Sequence, residues 1–335
     1  MKMAKKKMVG VEIGNHTLKM AVCKDGVPED FIQVEIPDNM IQNDEILSYN
    51  AMGDFIRENL ENHKIKCRDA ALTLPDRKIF ICRVKMPLMT ISQLKVNLPY
   101  EFRTYITENK EDFVYDYSII QMKRDENNPH TGEMDVLAAA VDREQLNNYS
   151  AMFNRAGLKL EMVTPECLAL KNILAQNQDE NSEKKDCAIV DLGDNTIKIH
   201  FFARGEFDTT RTLEVGCESF VEMASLVSDT DVHIARKNFE MNLDNIQYHD
   251  MLIERYENLV VEITRVLNFY RYNHPESDLD CLYICGGGVH IEPLMSRIQS
   301  SLDMDVKMVN ELLTEKNSFV DNIALCPQVL GILWE

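Results

Sequence analysis

The sequence of 335 residues predicts an α/β protein that contains two duplicated domains and a smaller inserted α+β unit. Three observations support this prediction. A β-hairpin with a glycine at its turn occurs twice, strands alternate with amphipathic helices along most of the chain, and a run of three glycines separates a late strand from a helix.

The second hairpin has the clearer pattern. Its apolar run Cys187–Val190 leads into Asp191, and alternating apolar residues return from Ile197. Gly193 lies at the bend, where we expect a positive φ that would make a side chain clash. The backbone N–H groups after it then point towards one anion, and they belong to Asp194, Asn195 and Thr196. Asp191 lies where a Mg²⁺ that bridges phosphates needs a carboxylate, bound through water.

The first hairpin repeats this pattern at a constant offset. Adding 179 to a residue number there gives its counterpart, so that Glu12 corresponds to Asp191 and Gly14 to Gly193. The alignment places Val11–Lys19 on Val190–Lys198, Gly26 on Gly205 and Glu35 on Glu214. Two hairpins in register indicate a duplication. If the two hairpins face each other across a cleft, they would enclose the phosphates of a nucleotide between them.

Composition and charge restrict the class of protein. The chain is 45% hydrophobic, which is enough for a core in each of two domains. A net charge of −19 argues against a nucleic-acid or anionic membrane surface, because phosphate contacts need local cations. The only basic run, Lys2–Lys7, precedes no long apolar segment, so we expect a cytoplasmic protein without a signal peptide or membrane helix.

The nine cysteines predict reduced core thiols, because they are odd in number and scattered through apolar runs. Cys281 and Cys285 leave a metal site as an alternative. No second pair of cysteines or histidines with ligand spacing accompanies them, which disfavours it.

The first half alternates strands and helices. We predict an amphipathic helix at Asn43–His63 and a strand at Ala70–Leu74. An extended run at Lys78–Lys85 leads into the inserted unit, which ends near residue 160. Its predicted elements are a helix at Gln93–Tyr105, strands at 113–121 and 134–141 with a polar turn at Asp125–Gly132, a helix from its cap Asp142 to Ala156, and a strand at 157–163. A helix at Cys167–Ala175 and a polar linker at Gln176–Lys185 follow.

The second half is predicted to be mostly helical before the three glycines. A stripe recurs every three or four residues between Tyr248 and Tyr272, typical of a core-facing helix and, as the alternative, of a coiled-coil partner. Gly286–Gly288 follow the strand Leu282–Cys285 and precede the helix Glu292–Leu302. They let a planar ligand approach the backbone, although a tight strand-to-helix turn would also explain them. Pro327 interrupts the last helix, which is therefore broken or begins late.

In this order, the motifs resemble those of the actin/Hsp70/sugar-kinase superfamily. The resembling segments are Gly10–Lys19 (first phosphate motif), Thr164–Leu174 (first connecting helix), Asp191–Thr196 (second phosphate motif), Leu282–Gly288 (adenosine motif) and Ala324–Leu333 (second connecting helix). The resemblance implies an actin-like ATPase fold, with two RNase H-like domains around a cleft for ATP and Mg²⁺. We expect domain 1 to comprise 1–83, 161–185 and a C-terminal helix at 322–335, the insert 84–160, and domain 2 186–321 with a helical subdomain at 217–277.

The insert resembles that of the PilM family of type IV pilus assembly proteins, and less closely that of the FtsA cell-division family. The matching positions are Leu88-Met89, Glu101, Tyr105-Ile106, Asp116-Tyr117, Val136–Val141 and Ala156–Leu158. This implies a cytoplasmic ATP-binding scaffold of pilus assembly, or of the related type II secretion systems. Its insert would bind the N-terminal peptide of PilN, an inner-membrane protein, and the chain would be peripheral to the membrane only through that partner. A homo-oligomer is an open possibility.

The resemblance also implies roles for individual residues. Backbone amides of Gly14, Asn15, His16 and Thr17 would hold phosphates opposite Gly193, Asp194, Asn195 and Thr196. Lys19 would contact phosphate, the alternative being a solvated strand lysine, and Lys237 would reach the nucleoside or be an ordinary surface lysine. Gly286, Gly287 and Gly288 would lie against adenine and ribose, with Glu12 and Asp191 holding Mg²⁺ through water. Glu166 would orient a catalytic water, or only complement the helix dipole.

Several positions depart from the superfamily pattern. Glu12 replaces an aspartate, Cys217 replaces a glycine, His16 replaces a small residue, and no proline follows Ile106. Octahedral Mg²⁺ tolerates little displacement, so we expect nucleotide binding with slow hydrolysis at most. The alternatives are a small-molecule kinase, an FtsA-like filament protein, and a degenerate scaffold that binds no nucleotide.

Overall fold

The computed structural model describes residues 7–42, 44–125, 131–176, 185–313 and 323–334. Its contacts divide the chain into two compact units, of which the larger comprises Met1–Glu45 with Cys167–Glu335 and the smaller Ile46–Glu166. The domain boundaries predicted above stay a prediction. Outside the described residues lie most of the basic run Lys2–Lys7, positions 126–130 of the predicted turn, 177–184 of the predicted linker, and both ends of the predicted C-terminal helix, 322 and 335.

The described residues form the following strands and α-helices. The strands are β1 (Met8–Ile13), β2 (Thr17–Lys24), β3 (Val27–Glu35), β4 (Ile41–Gln42), β5 (Glu45–Ile46), β6 (Asp69–Leu74), β7 (Phe80–Pro87), β8 (Phe113–Arg124), β9 (Gly132–Asp142), β10 (Lys159–Pro165), β11 (Asp186–Leu192), β12 (Ile197–Ala203), β13 (Glu206–Leu213), β14 (Leu279–Cys285) and β15 (Asp305–Met308). The helices are α1 (Tyr49–Asn62), α2 (Ile91–Glu101), α3 (Arg143–Arg155), α4 (Glu166–Gln176), α5 (Glu218–Ser228), α6 (Val232–Glu240), α7 (Asp250–Asn273), α8 (Glu292–Ser301) and α9 (Gln328–Gly331).

The predicted duplication is confirmed in the backbone of the larger unit. β1, β2 and β3 form an antiparallel ladder, and β11, β12 and β13 form a second one. Each ladder turns through a pair of residues with positive φ, Asp25-Gly26 in the first and Arg204-Gly205 in the second, as a type I′ turn requires. The β2–β3 pairing shifts register between Val22 and Cys23, and the β12–β13 pairing shifts at the two residues numbered 179 higher. Both hairpins are therefore built to one plan, including the irregularity.

The second ladder continues into parallel strands, in the order β13-β12-β11-β14-β15. Helix α7 covers the core of this sheet with the stripe predicted from sequence, and its members Leu252, Tyr256, Leu259, Ile263, Leu267 and Tyr270 are all buried. Tyr270 stacks on Phe201 of β12 with ring centroids 3.9 Å apart. The core-facing interpretation of α7 is confirmed.

The smaller unit has its own core. β7, β9 and β8 form an antiparallel sheet, and β10 pairs in parallel with β6. Helix α2 begins with a capping box between Thr90 and Gln93, and Asp142 caps α3 by accepting from the Gln145 N–H at 2.7 Å. Helix α1 begins later than predicted, because Ser48 accepts from the Ala51 N–H while part of the preceding segment pairs as β4 and β5.

The end of the described chain is irregular. Residues 323–334, here named the C-terminal strap, comprise a 3₁₀ turn at Ile323–Leu325, the short helix α9, and a second 3₁₀ turn at Ile332–Trp334. Pro327 precedes α9 directly, so the broken helix predicted from this proline is confirmed. The indole Nε1 of Trp334 donates to the Gly26 carbonyl at 3.0 Å and fixes the strap to the first hairpin.

Among the described residues, we find no helix long and apolar enough to cross a bilayer.

Candidate functional site

The first hairpin places a partly buried ion pair beside its turn. The Gly14 N–H donates to the Thr17 carbonyl at 3.0 Å and so closes the turn. Glu12 on β1 faces Lys19 on β2, and Lys19 Nζ donates to Glu12 Oε1 at 3.1 Å. The Lys19 side chain is only 13% exposed, and its ammonium also donates to the Leu325 carbonyl of the C-terminal strap at 3.4 Å. Lys19 is therefore no solvated strand lysine.

The electrostatics of Lys19 connect the two hairpins. Burial acts to lower its pKa, but the negative charges of Glu12 and Asp191 outweigh burial and raise the pKa above the usual lysine range. Lys19 therefore stays charged at neutral pH. Because Glu12 belongs to the first hairpin and Asp191 to the second, one ammonium interacts with the carboxylate of each.

The turn of the second hairpin needs Gly193 for a reason other than the predicted one. Gly193 does not have positive φ, so that expectation was wrong. A Cβ at Gly193 would instead lie 2.6 Å from the Thr196 carbonyl oxygen, and one at Gly14 would lie 3.1 Å from the Thr17 oxygen. Glycine is required by the close approach across each turn.

The second turn is held by the start of α5. The N–H groups of Cys217 and Glu218 donate to the carbonyls of Gly193 and Asp194 at 3.0 and 2.9 Å. Gly216 makes this contact possible, because a Cβ there would lie 2.0 Å from the Asp194 oxygen. The turn is thereby fixed through its carbonyl groups.

Four amide groups at the two turns are available as donors. Within the part of the chain that the structure describes, no protein acceptor takes the N–H of Asn15, His16, Asp194 or Asn195. Consecutive unpaired amides at a tight turn are a frequent anion-binding arrangement. The pattern agrees with the phosphate-binding role that the resemblance implies for these four residues. The Gly14 N–H, in contrast, is taken by the Thr17 carbonyl and is not available to a phosphate, which corrects the predicted role of that amide.

The three glycines after β14 serve two purposes. Gly286 has φ +94°, and a Cβ there would lie 2.4 Å from Asp191 Oδ1, while one at Gly288 would lie 2.7 Å from Cys217 Sγ. These two glycines let the loop pack against the second hairpin. Gly287 is exposed, and a Cβ at this position would meet nothing within 4 Å. Its backbone is therefore open to a ligand.

The C-terminal strap contributes contacts that the sequence did not predict. Gln328 Nε2 donates to Asp191 Oδ2 at 2.7 Å, and Cys326 Sγ donates to Glu12 Oε2. The Ala324 carbonyl accepts from the Gly286 N–H at 2.8 Å. The only signal in the sequence was the position of these residues in the segment that resembles a second connecting helix.

The two candidate metal ligands differ in their surroundings. Both oxygens of Glu12 accept from protein donors, Lys19 and Cys326, and Asp191 Oδ2 accepts from the amide of Gln328. Carboxylates that bind through water suit Mg²⁺, which keeps most of its hydration shell. Among the described residues, no group of three or more His, Cys, Asp or Glu side chains is arranged to hold a metal directly, and the alternative of a site at Cys281 and Cys285 gains no support.

A positive side chain that the sequence did not single out, Arg236, lies near the second turn, and the nucleoside-contacting role predicted for Lys237 stays a prediction. Lys237 is exposed, whereas Arg236 has a side chain only 13% exposed. Arg236 forms an ion pair with Asp194, at 3.3 Å, and another with Glu218. The guanidinium thereby neutralises the negative charge that Asp194 brings to the turn.

Glu166 lies in the smaller unit, at the start of α4. Its side chain is 8% exposed, and Oε1 accepts from the Asp76 N–H at 3.4 Å. Its predicted catalytic role stays a prediction.

The smaller unit also contains a surface cavity of about 360 Å³. It is lined from β7 by Cys82, Arg83 and Val84, and from the end of α2 onwards by Tyr100, Glu101, Arg103, Thr104 and Tyr105. The lining combines aromatic, apolar and charged side chains and contains no glycine.

Comparison with known proteins identifies relatives of the whole chain. Residues 10–323 match the family described as Type IV pilus assembly protein PilM. The structure is similar to a PilM-PilN type IV pilus biogenesis complex, with a TM-score of 0.80 and 17% identity over 97% of this chain and 98% of that one.

More distant structures share the fold. The ethanolamine utilization protein EutJ from Carboxydothermus hydrogenoformans has a TM-score of 0.61 and 13% identity over 100% of this chain and 90% of its own. MreB 5 of Spiroplasma citri bound to AMPPNP has a TM-score of 0.52 and 10% identity over 96% and 94%. The predicted actin-like ATPase fold is confirmed. Because the family match covers nearly the whole length, the chain belongs to the PilM family of type IV pilus assembly proteins.

Proposed function

We propose that this protein is an ATP-binding scaffold of type IV pilus assembly, with a PilN-like inner-membrane protein as its partner. A role in a related type II secretion system is the close variant of this proposal. The scaffold would act at the cytoplasmic face of the membrane and reach it only through the partner. Self-association remains compatible with such a role.

The observation that supports nucleotide binding best is the position of Lys19 between the two hairpins. Its ammonium has three donors, of which the described residues accept two, through Glu12 and Leu325. The third donor and the four unpaired amides of the turns together suit a polyphosphate. The exposed backbone of Gly287 offers a flat surface for the base.

Asp191 is the better candidate for holding Mg²⁺, through water, because Glu12 is already compensated by Lys19. The bound ion would neutralise phosphate charge. Phosphoryl transfer depends on positioning the metal and the attacking water. Because both oxygens of Glu12 accept from protein donors, we propose that the protein binds ATP and hydrolyses it slowly at most. Glu166 is the candidate group for orienting the attacking water.

Calorimetric titration of MgATP into the wild-type protein and into Gly287→Val tests this proposal. The valine meets no protein atom around its Cβ, so the variant should keep the wild-type melting temperature while losing ATP binding. A phosphate-release assay over several hours then measures turnover. Equal ATP affinity in both proteins, or no binding by the wild type, would overturn the nucleotide proposal and leave a scaffold without nucleotide.

The cavity of the smaller unit supports the peptide part of the proposal. A synthetic peptide with the N-terminal sequence of the PilN-like protein from the same genome should bind there. Tyr105→Ala removes an aromatic side chain that lines the cavity, and Met122→Ala is the matched control, because the two residues are similarly exposed, at 56% and 54%, and Met122 does not line it. We expect fluorescence anisotropy to show weaker peptide binding for Tyr105→Ala only. Equal binding by both variants would place the peptide elsewhere.

A further inference from the structure

The amide of Gln328 is half satisfied at the centre of the candidate nucleotide site. Gln328 begins α9 and is only 2% exposed. Its Nε2 donates to Asp191 Oδ2 at 2.7 Å, while Oε1 is buried and has no hydrogen-bond partner among the described residues. A carboxylate only accepts, so this orientation of the amide is the one that makes a bond with Asp191.

A buried acceptor without a donor is unusual and costs about 1 to 3 kcal/mol unless something satisfies it. The oxygen is bonded to the same carbon as Nε2, so it lies beside the Asp191 carboxylate. A group that satisfies it must therefore donate hydrogen bonds and tolerate a neighbouring negative charge. Water bound to a cation does both, because its lone pairs face the cation and its hydrogens point outwards.

We propose that Gln328 is a positioning residue for hydrated Mg²⁺: its Nε2 orients Asp191, and its Oε1 accepts from a water of the ion. This inference rests on the proposed nucleotide binding and names a residue that acts in it. Mg²⁺ keeps several waters and is commonly held through them, so the outer hydrogen-bond partners decide where it lies.

The position of Gln328 gives this role a wider consequence. The C-terminal strap contacts the first hairpin through Cys326, the glycine loop through Ala324 and the second hairpin through Gln328. Of these three contacts, only that of Gln328 carries a free acceptor. Binding of the hydrated ion would therefore add a second link between the strap and Asp191, which runs from Gln328 Oε1 through a water of the ion.

The test compares ATP affinity in Mg²⁺ and in EDTA, by calorimetry, for the wild type and three variants. Gln328→Met removes both polar atoms at similar volume, and Gln328→Glu keeps an acceptor but loses the donor. Asn172→Leu is the control for strap attachment, because Asn172 Nδ2 donates to the Gly331 carbonyl at 3.0 Å, away from both carboxylates.

We expect Mg²⁺ to tighten ATP binding by the wild type, and Gln328→Met to reduce that gain about 10- to 100-fold without changing the affinity in EDTA. Gln328→Glu should bind ATP more weakly in EDTA, where its charge faces Asp191, and recover in Mg²⁺. Asn172→Leu should keep the wild-type gain. A purely structural role would instead weaken binding equally under both conditions.

Two results would overturn the inference. If Mg²⁺ increases the ATP affinity of Gln328→Met as much as that of the wild type, while Gly287→Val still fails to bind ATP, the role of Gln328 is refuted and the nucleotide proposal stays intact. Absence of ATP binding by the wild type in both buffers would refute both. If Gln328→Met fails to fold, Gln328→Glu decides alone, because an equal loss in EDTA and Mg²⁺ contradicts the positioning role.

Discussion

Gly331 of the C-terminal strap lies against the carbonyl oxygen of Ala169 in α4, so closely that a Cβ at Gly331 would be 2.0 Å from it. Asn172, one turn further along α4, donates to the Gly331 carbonyl. These two contacts fix the strap on α4. They thereby determine where Gln328 and Cys326 reach the two hairpins.

Replacing Gly331 with alanine should destabilise the protein. The added methyl group must displace backbone, which costs about 1 to 3 kcal/mol in a packed interior. Urea denaturation should show this loss in the free energy of unfolding. Gly287→Ala is the matched control, since its Cβ meets nothing within 4 Å, and it should unfold at the wild-type urea concentration. Similar urea midpoints for the two variants would show that the contact between Gly331 and Ala169 does not hold the strap.

Lys19→Met should be more harmful than the double variant Lys19→Met/Glu12→Gln. The single change leaves the partly buried Glu12 carboxylate without its cation, at a cost somewhat below the roughly 3 to 5 kcal/mol for breaking a fully buried pair. The double change removes both charges and should recover part of that loss. Denaturation of the four proteins in the cycle gives the coupling energy. Strictly additive losses would mean that the pair is not coupled.

The same ion pair should stabilise the fold across the whole neutral range. The pKa of Lys19 is raised in the folded protein, so its contribution is complete below the ordinary lysine pKa and is lost only as the pH rises through the folded value. Between pH 6 and 8, the difference in unfolding free energy between wild type and Lys19→Met should therefore stay constant.

Arg236→Met should weaken ATP binding, whereas Lys237→Met should not. Arg236 compensates Asp194, and without it the carboxylate would repel a phosphate at the second turn. Lys237 is exposed and contributes only a screened surface charge. Calorimetry of both variants at two salt concentrations checks this expectation. A larger effect for Lys237→Met would contradict this expectation and support the nucleoside-contacting role that the resemblance implied for Lys237.

The pH dependence of stability should include a contribution from Cys187. Burial raises the pKa of this thiol from 9.0 to about 12 in the folded protein. The raised value favours the folded state below pH 9, and this advantage is lost as the pH rises from about 9 to about 12. From pH 8 to 10, the wild type should lose about 1.4 kcal/mol more unfolding free energy than Cys187→Ala. Equal losses of unfolding free energy in the wild type and Cys187→Ala would contradict a raised pKa for this thiol.

The features that the sequence predicted correctly depend on local patterns. The strand alternation around Asp191 and the constant offset to Glu12 were sufficient to predict both hairpins. The apolar stripe of α7 was sufficient to predict that this helix packs on the core. Asp142 as the cap of α3 and Pro327 as a helix breaker also act through their immediate neighbours. Such signals need no knowledge of the tertiary structure.

The features that the sequence did not predict arise from contacts between distant segments. The requirement for glycine at position 193 comes from the Thr196 oxygen across the turn, although the sequence suggested positive φ. The choice between Arg236 and Lys237 depends on the rotation of α6 relative to Asp194. Gln328 is separated from Asp191 by more than a hundred residues and lies in an irregular segment, so no periodicity indicated its contact.

Trp334 is the only tryptophan of the chain, and its indole N–H bonds to Gly26 at the turn of the first ladder. The protein thus carries a single tryptophan, whose fluorescence can be excited selectively over that of the eleven tyrosines, at the end of the segment that contacts Glu12, Gly286 and Asp191. Its emission wavelength and quenching by acrylamide would report undocking of that segment without any label. A ligand that holds this segment against the two hairpins should shield Trp334 from acrylamide, and its emission can be followed in real time during titration.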